Sequence, residues 1–222
     1  MSYPLESLLT RTSFTDEQLE YLLGLTDPED CALLQQAAYE LTTRMMGNYV
    51  YLRGLIEVSN VCTANCRYCG IRKDNHTVPR YTLSAEDIVE CAKIAARNGY
   101  GSIAIQAGER RDEKWIAFIE SLLIAIQENT RSDTLPNGLG ITLSLGEQTY
   151  ETYERWANAV NNPQGLRYLL RLESSNPELF AWLHSTPGKN EKVLTHRYEA
   201  LANLKSLGYQ VGHDRVTTPN LS

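Results

Sequence analysis

Ser59-Asn-Val-Cys62-Thr-Ala-Asn-Cys66-Arg-Tyr-Cys69-Gly70 carries three of the chain's five cysteines at the spacing C-x3-C-x2-C. Three thiolates on one short loop can hold three irons of a 4Fe-4S cube and leave the fourth iron without a protein ligand. An open iron is a place where a small molecule chelates and receives an electron. Structural zinc asks for four ligands, usually as two paired C-x2-C or H-x3-H units, and the chain has no second C-x2-C unit. Cys66 and Cys69 alone would suit a thioredoxin-like redox pair, but such pairs carry no third cysteine four residues upstream.

Outward from this loop the pattern alternates strand and helix. Tyr51–Ser59 reads as the first strand, and Ser84 caps a helix running to about Asn98, with Gly99 as its stop. Ser102–Gly108, Gly140–Gly146 and Arg167–Glu173 read as three further strands, and Tyr209–His213 begins a fifth. Helices are expected over Asp112–Asn129, Glu147–Asn161 and Lys192–Leu207, with a shorter one after Asn176-Pro177. Such alternation argues for an α/β fold with a parallel sheet under covering helices, in barrel or open form.

Side chains alternate faces along a strand. Ile56 and Val58 oppose Glu57 and Ser59; Ile103 and Ile105 oppose Ala104, Gln106 and Gly108. Ile141, Leu143 and Leu145 oppose Thr142 and Ser144, and Leu170 and Leu172 oppose Leu169, Arg171 and Glu173. The apolar set is expected beneath the helices. The polar set is expected to line the inside of a barrel near the C-terminal mouth, where barrel enzymes bind their substrates.

Residues 1–48 read as a helical extension, with a capping box at Thr15 and Gln18, a helix start at Asp27-Pro28, and Leu33, Leu34, Ala37, Leu41 and Met45 at helical spacing. Residues 49–213 are expected to form the barrel portion and 214–222 a divergent tail. A net charge of −6 over 222 residues argues against a nucleic-acid or anionic-membrane surface. No apolar run approaches the ~20 residues of a membrane span. An odd number of cysteines and no signal-like start point to a reducing cytoplasm. Cys31 and Cys91 read as packing residues on helices. His76, His184 and His196 read as loop or surface residues, and His213, just past a strand, as a marginal site candidate.

The cysteine loop resembles that of the radical SAM superfamily. Its flanks, Gly54-Leu-Ile-Glu-Val-Ser-Asn60 and Gly70-Ile-Arg-Lys-Asp-Asn75, resemble the HydE family of FeFe-hydrogenase maturases, as do Thr142-Leu-Ser-Leu-Gly-Glu147, Tyr168-Leu-Leu-Arg-Leu-Glu-Ser-Ser-Asn-Pro177 and Asn203-Leu-Lys-Ser-Leu-Gly-Tyr209. The resemblance implies a TIM-type barrel, a 4Fe-4S cluster on Cys62, Cys66 and Cys69, and S-adenosylmethionine (SAM) as cofactor. It places Tyr68 near the SAM adenine. Ala107, Gly108 and Glu109 would form the glycine-motif strand end that meets the methionyl amine. Gln106 and Thr142 would line the cavity, and Glu173 and Arg197 would fix SAM, with Arg171 beside them. It implies reductive cleavage of SAM to a 5′-deoxyadenosyl radical acting on a small-molecule substrate, in assembly of the hydrogenase H-cluster. An electron donor such as ferredoxin or flavodoxin, and other hydrogenase maturases, would be the partners. A methylornithine-synthase-like or biotin-synthase-like enzyme and a non-catalytic cluster-binding fragment are the alternatives.

Two departures stand out. The family has Ser where this chain has Ala107, and beyond Gly212 the sequence Gly-His-Asp-Arg-Val-Thr-Thr-Pro-Asn-Leu-Ser222 leaves the family's pattern. The expectation is an incomplete barrel of about five strands, shortened at its C-terminal side, since a full eightfold barrel takes ~250 residues.

Overall fold

A computed structural model describes residues 3–160, 165–184 and 192–212. Residues up to Tyr51 form one compact unit and those from Leu52 onward a second.

The first unit holds α1 (Leu5–Leu9), α2 (Asp16–Leu23) and α3 (Pro28–Met46). Thr15 and Gln18 close the expected capping box, with Gln18 Oε1 accepting from the Thr15 amide at 3.0 Å. Asp27 caps α3 by accepting from the amides of Glu29 and Asp30. Leu5, Leu8 and Leu22 bury together, and Leu34 packs against them. The rest of the α3 stripe departs from expectation: Leu33, Leu41 and Met45 are exposed. A five-residue and an eight-residue helix do not cover one of nineteen.

In the second unit the order is β1 (Gly54–Ser59), α4 (Ala85–Arg97), β2 (Ser102–Ala107), α5 (Glu113–Thr130), β3 (Gly140–Ser144), α6 (Tyr150–Asn158), β4 (Leu166–Leu169), α7 (Pro177–His184), α8 (Leu194–Ser206) and β5 (Gln210–Gly212). The five strands form one parallel sheet in the order β1-β2-β3-β4-β5. Among the described strands β1 and β5 are both edges, so the sheet is an open arc. Its register lines up one apolar row across all five strands: Ile56, Ile105, Leu143, Tyr168 and Val211. All but Val211 are fully buried, packed with Ile88, Ile119, Leu123, Ile126 and Trp156 from the helices. Each buried aliphatic side chain contributes about 1.5–3 kcal/mol, so this row fixes the register: a slip of one residue would turn it to the polar face.

Several expected boundaries shift. β1 begins at Gly54, leaving Tyr51 and Leu52 exposed. β4 ends at Leu169, so Arg171 and Glu173 project from the loop that follows. α6 begins at Tyr150, behind a Thr149 cap that accepts from the Thr152 amide, which leaves Glu147 in a turn. Cys91 is exposed rather than packed; Ile88, Ala92 and Ala95 fill the buried stripe of α4 and Cys91 falls at its edge. His213 and the tail lie outside the described residues.

Candidate functional site

The cysteine loop leaves the C-terminal end of β1 and is stitched to the end of β2. The Gly108 amide donates to the Ser59 carbonyl at 3.1 Å, and the Glu109 carbonyl accepts from both the amide and the hydroxyl of Thr63. A Cβ on Gly108 would stand 2.4 Å from the Val61 carbonyl oxygen and 2.6 Å from the Cys62 Cβ. Glycine here therefore serves the approach of the cysteine loop to the strand end.

Cys62, Cys66 and Cys69 line one cavity of about 170 Å³ at the C-terminal ends of the strands. Tyr68, Gln106, Ala107, Gly108, Glu109, Arg171, Glu173 and Arg197 line it too. So do Ser144 and Leu169, from the strand face expected to point inward. Thr142 differs: it is buried two residues below Ser144, outside the lining, and its Oγ1 has no partner. A larger depression of about 490 Å³ lies between α5 and α6, lined by Glu120, Glu151, Glu154 and Arg155. It is a solvated groove of acidic side chains crossed by the Arg155–Glu120 ion pair.

An ion network forms the far wall of the cavity. Arg197, 3% exposed, donates from Nε to Glu147 Oε1 at 2.5 Å and lies 3.4 Å from Glu173 Oε2. Lys192 reaches Glu109 Oε2 at 2.5 Å and Glu147 Oε2 at 4.0 Å, and Arg111 bridges the same two carboxylates. Gly146, at φ 75°, makes room for Glu109, whose Oε2 would be 2.5 Å from a Cβ there. Burial alone would raise the Glu147 pKa, but Lys192 and Arg197 outweigh it and hold the carboxyl below its ordinary value. Three carboxylates thus meet three cations; Arg197, Glu109 and Glu147 are buried, where unpaired charge would be costly, while Arg111 closes the network from the exposed side.

Glu173 is the one non-glycine residue among those described with a positive φ, 62°. Such backbone persists where the surroundings over-determine it, and here three donors converge on the carboxylate. Tyr68 donates its hydroxyl to Oε1, His184 Nε2 lies 3.0 Å from Oε2, and Arg197 approaches the same oxygen. Burial raises the Glu173 pKa, yet these partners together hold it below its ordinary value. Burial and the Glu173 carboxylate push the Tyr68 phenol well up.

His184 was expected at the surface; it is 3% exposed at the end of α7. Glu147 and Lys192 also carry the site, although neither stands out in sequence. The signal for Glu147 was its place at the end of Thr142-Leu-Ser-Leu-Gly-Glu147; Lys192 offered none.

The donor set suits an iron–sulfur cube. Three thiols, none in a disulfide, face one cavity. Thiolates on a single zinc ion sit at about 2.3 Å from it and so crowd together. Among the described residues no three Cys, His, Asp or Glu side chains converge in that way. A cube places each thiolate on a different corner and needs no such convergence. Burial pushes the Cys62 and Cys66 thiols up, and Lys192 opposes the rise at Cys66.

Comparison with known proteins places these features. Residues 56–220 match the family described as "Radical SAM superfamily". The chain is 36% identical over 204 residues to the [FeFe] hydrogenase maturase subunit HydE of Thermotoga maritima, covering 92% of this chain and 53% of that protein. It is 30% identical over 104 residues to 3-methylornithine synthase of Methanosarcina acetivorans, covering 47% of this chain and 29% of that protein. It spans about half the length, or less, of these curated relatives. The fold is that of the FeFe-hydrogenase maturase HydG from Carboxydothermus hydrogenoformans, with TM-score 0.78 and 23% identity over 94% of this chain and 46% of that one. Methylornithine synthase (PylB) shares it, with TM-score 0.75 and 23% identity over 94% of this chain and 57% of that one. Cysteine spacing, parallel α/β sheet and sequence match agree, and the chain belongs to the radical SAM superfamily.

Proposed function

We propose that this chain carries the cofactor-binding part of a HydE-like maturase, holding a 4Fe-4S cluster on Cys62, Cys66 and Cys69 with SAM beside it, in FeFe-hydrogenase H-cluster assembly. The observation that carries this reading is the convergence of the three cysteines, Glu173 and Arg197 on one cavity. The likeness to HydE runs along 92% of the chain and that to 3-methylornithine synthase along 47%, which favours the maturase. A reduced cluster bound there would supply the electron for cleaving a C–S bond of SAM; the chain's own residues would supply position and charge.

Arg197 has its Nε on Glu147 and keeps further N–H groups for a carboxylate, which its planar fork suits. Glu173, held from three sides, presents an acceptor for ribose hydroxyls or a counter-charge for a cationic centre. Tyr68, tied to Glu173, gives a ring face beside the last cysteine. Gln106, Ala107 and Gly108 offer strand-end backbone groups to an ammonium, with Glu109 as the nearby negative charge. With alanine at 107, no hydroxyl contact arises from that position. Arg171, exposed on the rim, places a positive charge at the mouth of the cavity. Thr142, buried below Ser144, serves packing rather than contact. A ferredoxin or flavodoxin is the electron donor proposed, and other maturases are the partners.

The test is anaerobic reconstitution with iron and sulfide. The expected product is a brown, oxygen-sensitive protein whose reduced EPR signal changes with SAM and which releases methionine. Bound zinc with no iron would overturn the reading. Activation of apo-hydrogenase in a maturation mixture supplied with full-length partners separates the maturase reading from other radical SAM chemistry.

A further inference from the structure

The cysteine loop runs some twenty residues from the end of β1 without helix or strand, and a loop of that length needs something to order it. Arg80 stands at its base. Its Nη1 donates to the carbonyls of Asn60 at 2.6 Å and Ile71 at 2.8 Å, and its Nη2 to those of Arg72 at 2.7 Å and Asn75 at 2.9 Å. One guanidinium thus joins the residue that enters the cysteine stretch to three residues that leave it. Arg80 is itself bracketed. The Asn60 side chain donates to the Pro79 carbonyl at 2.7 Å and accepts from the Tyr81 amide at 2.8 Å. Ser59 Oγ adds a bond to the Tyr81 carbonyl. Residues 79–82 therefore form a platform fixed to the end of β1, and the guanidinium reaches from it across the loop.

We infer that Arg80 is the clamp of the cluster loop, a positioning residue that holds Cys62, Cys66 and Cys69 at the geometry of their shared cavity before any metal binds. Four carbonyls in one fork match the planar, five-donor guanidinium; a lysine ammonium brings the charge but not the fork. What the clamp implies for iron rests on the cluster reading above; what it implies for the loop does not.

The test compares wild type with Arg80→Lys and Arg80→Gln by two measurements. The first is amide exchange across residues 60–78 of the metal-free protein, with α4 and α5 as internal reference. The second is iron kept per chain when the reconstituted protein is challenged with a chelator. Both variants are expected to exchange loop amides at least about tenfold faster, with the reference helices unchanged, and to lose iron faster than wild type. Wild-type behaviour in Arg80→Lys would show that charge alone suffices and would overturn the clamp. Unchanged loop exchange in Arg80→Gln, or equal loss of protection in α4 and α5, would overturn it too. If wild type takes up no iron, the cluster reading fails while the exchange comparison still decides the clamp.

Discussion

His184 Nε2 lies 3.0 Å from Glu173 Oε2, while its Nδ1 is held at 2.8 Å by the Phe180 carbonyl oxygen. A carbonyl only accepts, so Nδ1 carries a proton. When Nε2 carries a proton as well, the ring donates to the ionised carboxylate. A buried helix-end imidazole thereby fixes the carboxylate that sits at φ 62° in the cavity wall.

Removing that link should weaken SAM binding without removing metal. His184→Ala is expected to raise the SAM dissociation constant about tenfold, the scale of one hydrogen bond to a charged group. His184→Gln keeps an amide donor and should lose less. Titration of reconstituted protein with SAM, alongside iron content, checks this; equal losses in the two variants would mean that a donor to Glu173 is not what matters.

Glu147 should show its contribution in the pH dependence of stability. Its carboxyl is held below the ordinary value of 4.5, so the stabilisation is present above that pH and is lost as pH falls through the depressed value. At pH 7 wild type is expected to exceed Glu147→Gln by about 3 kcal/mol, the scale of a broken buried ion pair. The gap should narrow as pH falls below about 4.5. Thermal unfolding of both proteins from pH 7 to pH 3 measures it, and a constant gap would refute it.

Gly108→Ala places a methyl group against backbone at Val61 and against the Cys62 Cβ. No rotamer change relieves an overlap with a carbonyl oxygen. The expected cost is about 1–3 kcal/mol, with iron uptake reduced because the loop is pushed off the end of β2. Denaturant unfolding and iron analysis on the same preparation test both parts.

The cysteines should divide three against two. Cys62→Ser, Cys66→Ser and Cys69→Ser are each expected to abolish the iron–sulfur chromophore, whereas Cys31→Ser and Cys91→Ser leave it intact. Cys91, exposed on α4, should also be the first thiol alkylated in reconstituted protein. Peptide mapping after brief alkylation would show a different order if the cluster thiols were free.

Much of this protein was legible in one dimension because it depends on spacing. C-x3-C-x2-C put three thiols on one loop, and alternation along four strands separated Ile56, Ile103, Leu143 and their like from Gln106 and Ser144. Both patterns survive folding because local geometry alone decides them. The caps at Thr15 and Ser84 and the helix start at Asp27-Pro28 were readable for the same reason. Tertiary structure decided whatever depends on partners distant in sequence. His184 looks like a surface residue until α7 carries it, 11 residues on, back to Glu173. Glu147 looks like the start of a helix until Arg197, 50 residues away, donates to it. Arg80 is one more basic residue until its fork closes on four carbonyls. Cys91 and the stripe of α3 show the converse: helical spacing says which residues share a face, but only the packed neighbours decide whether that face is covered.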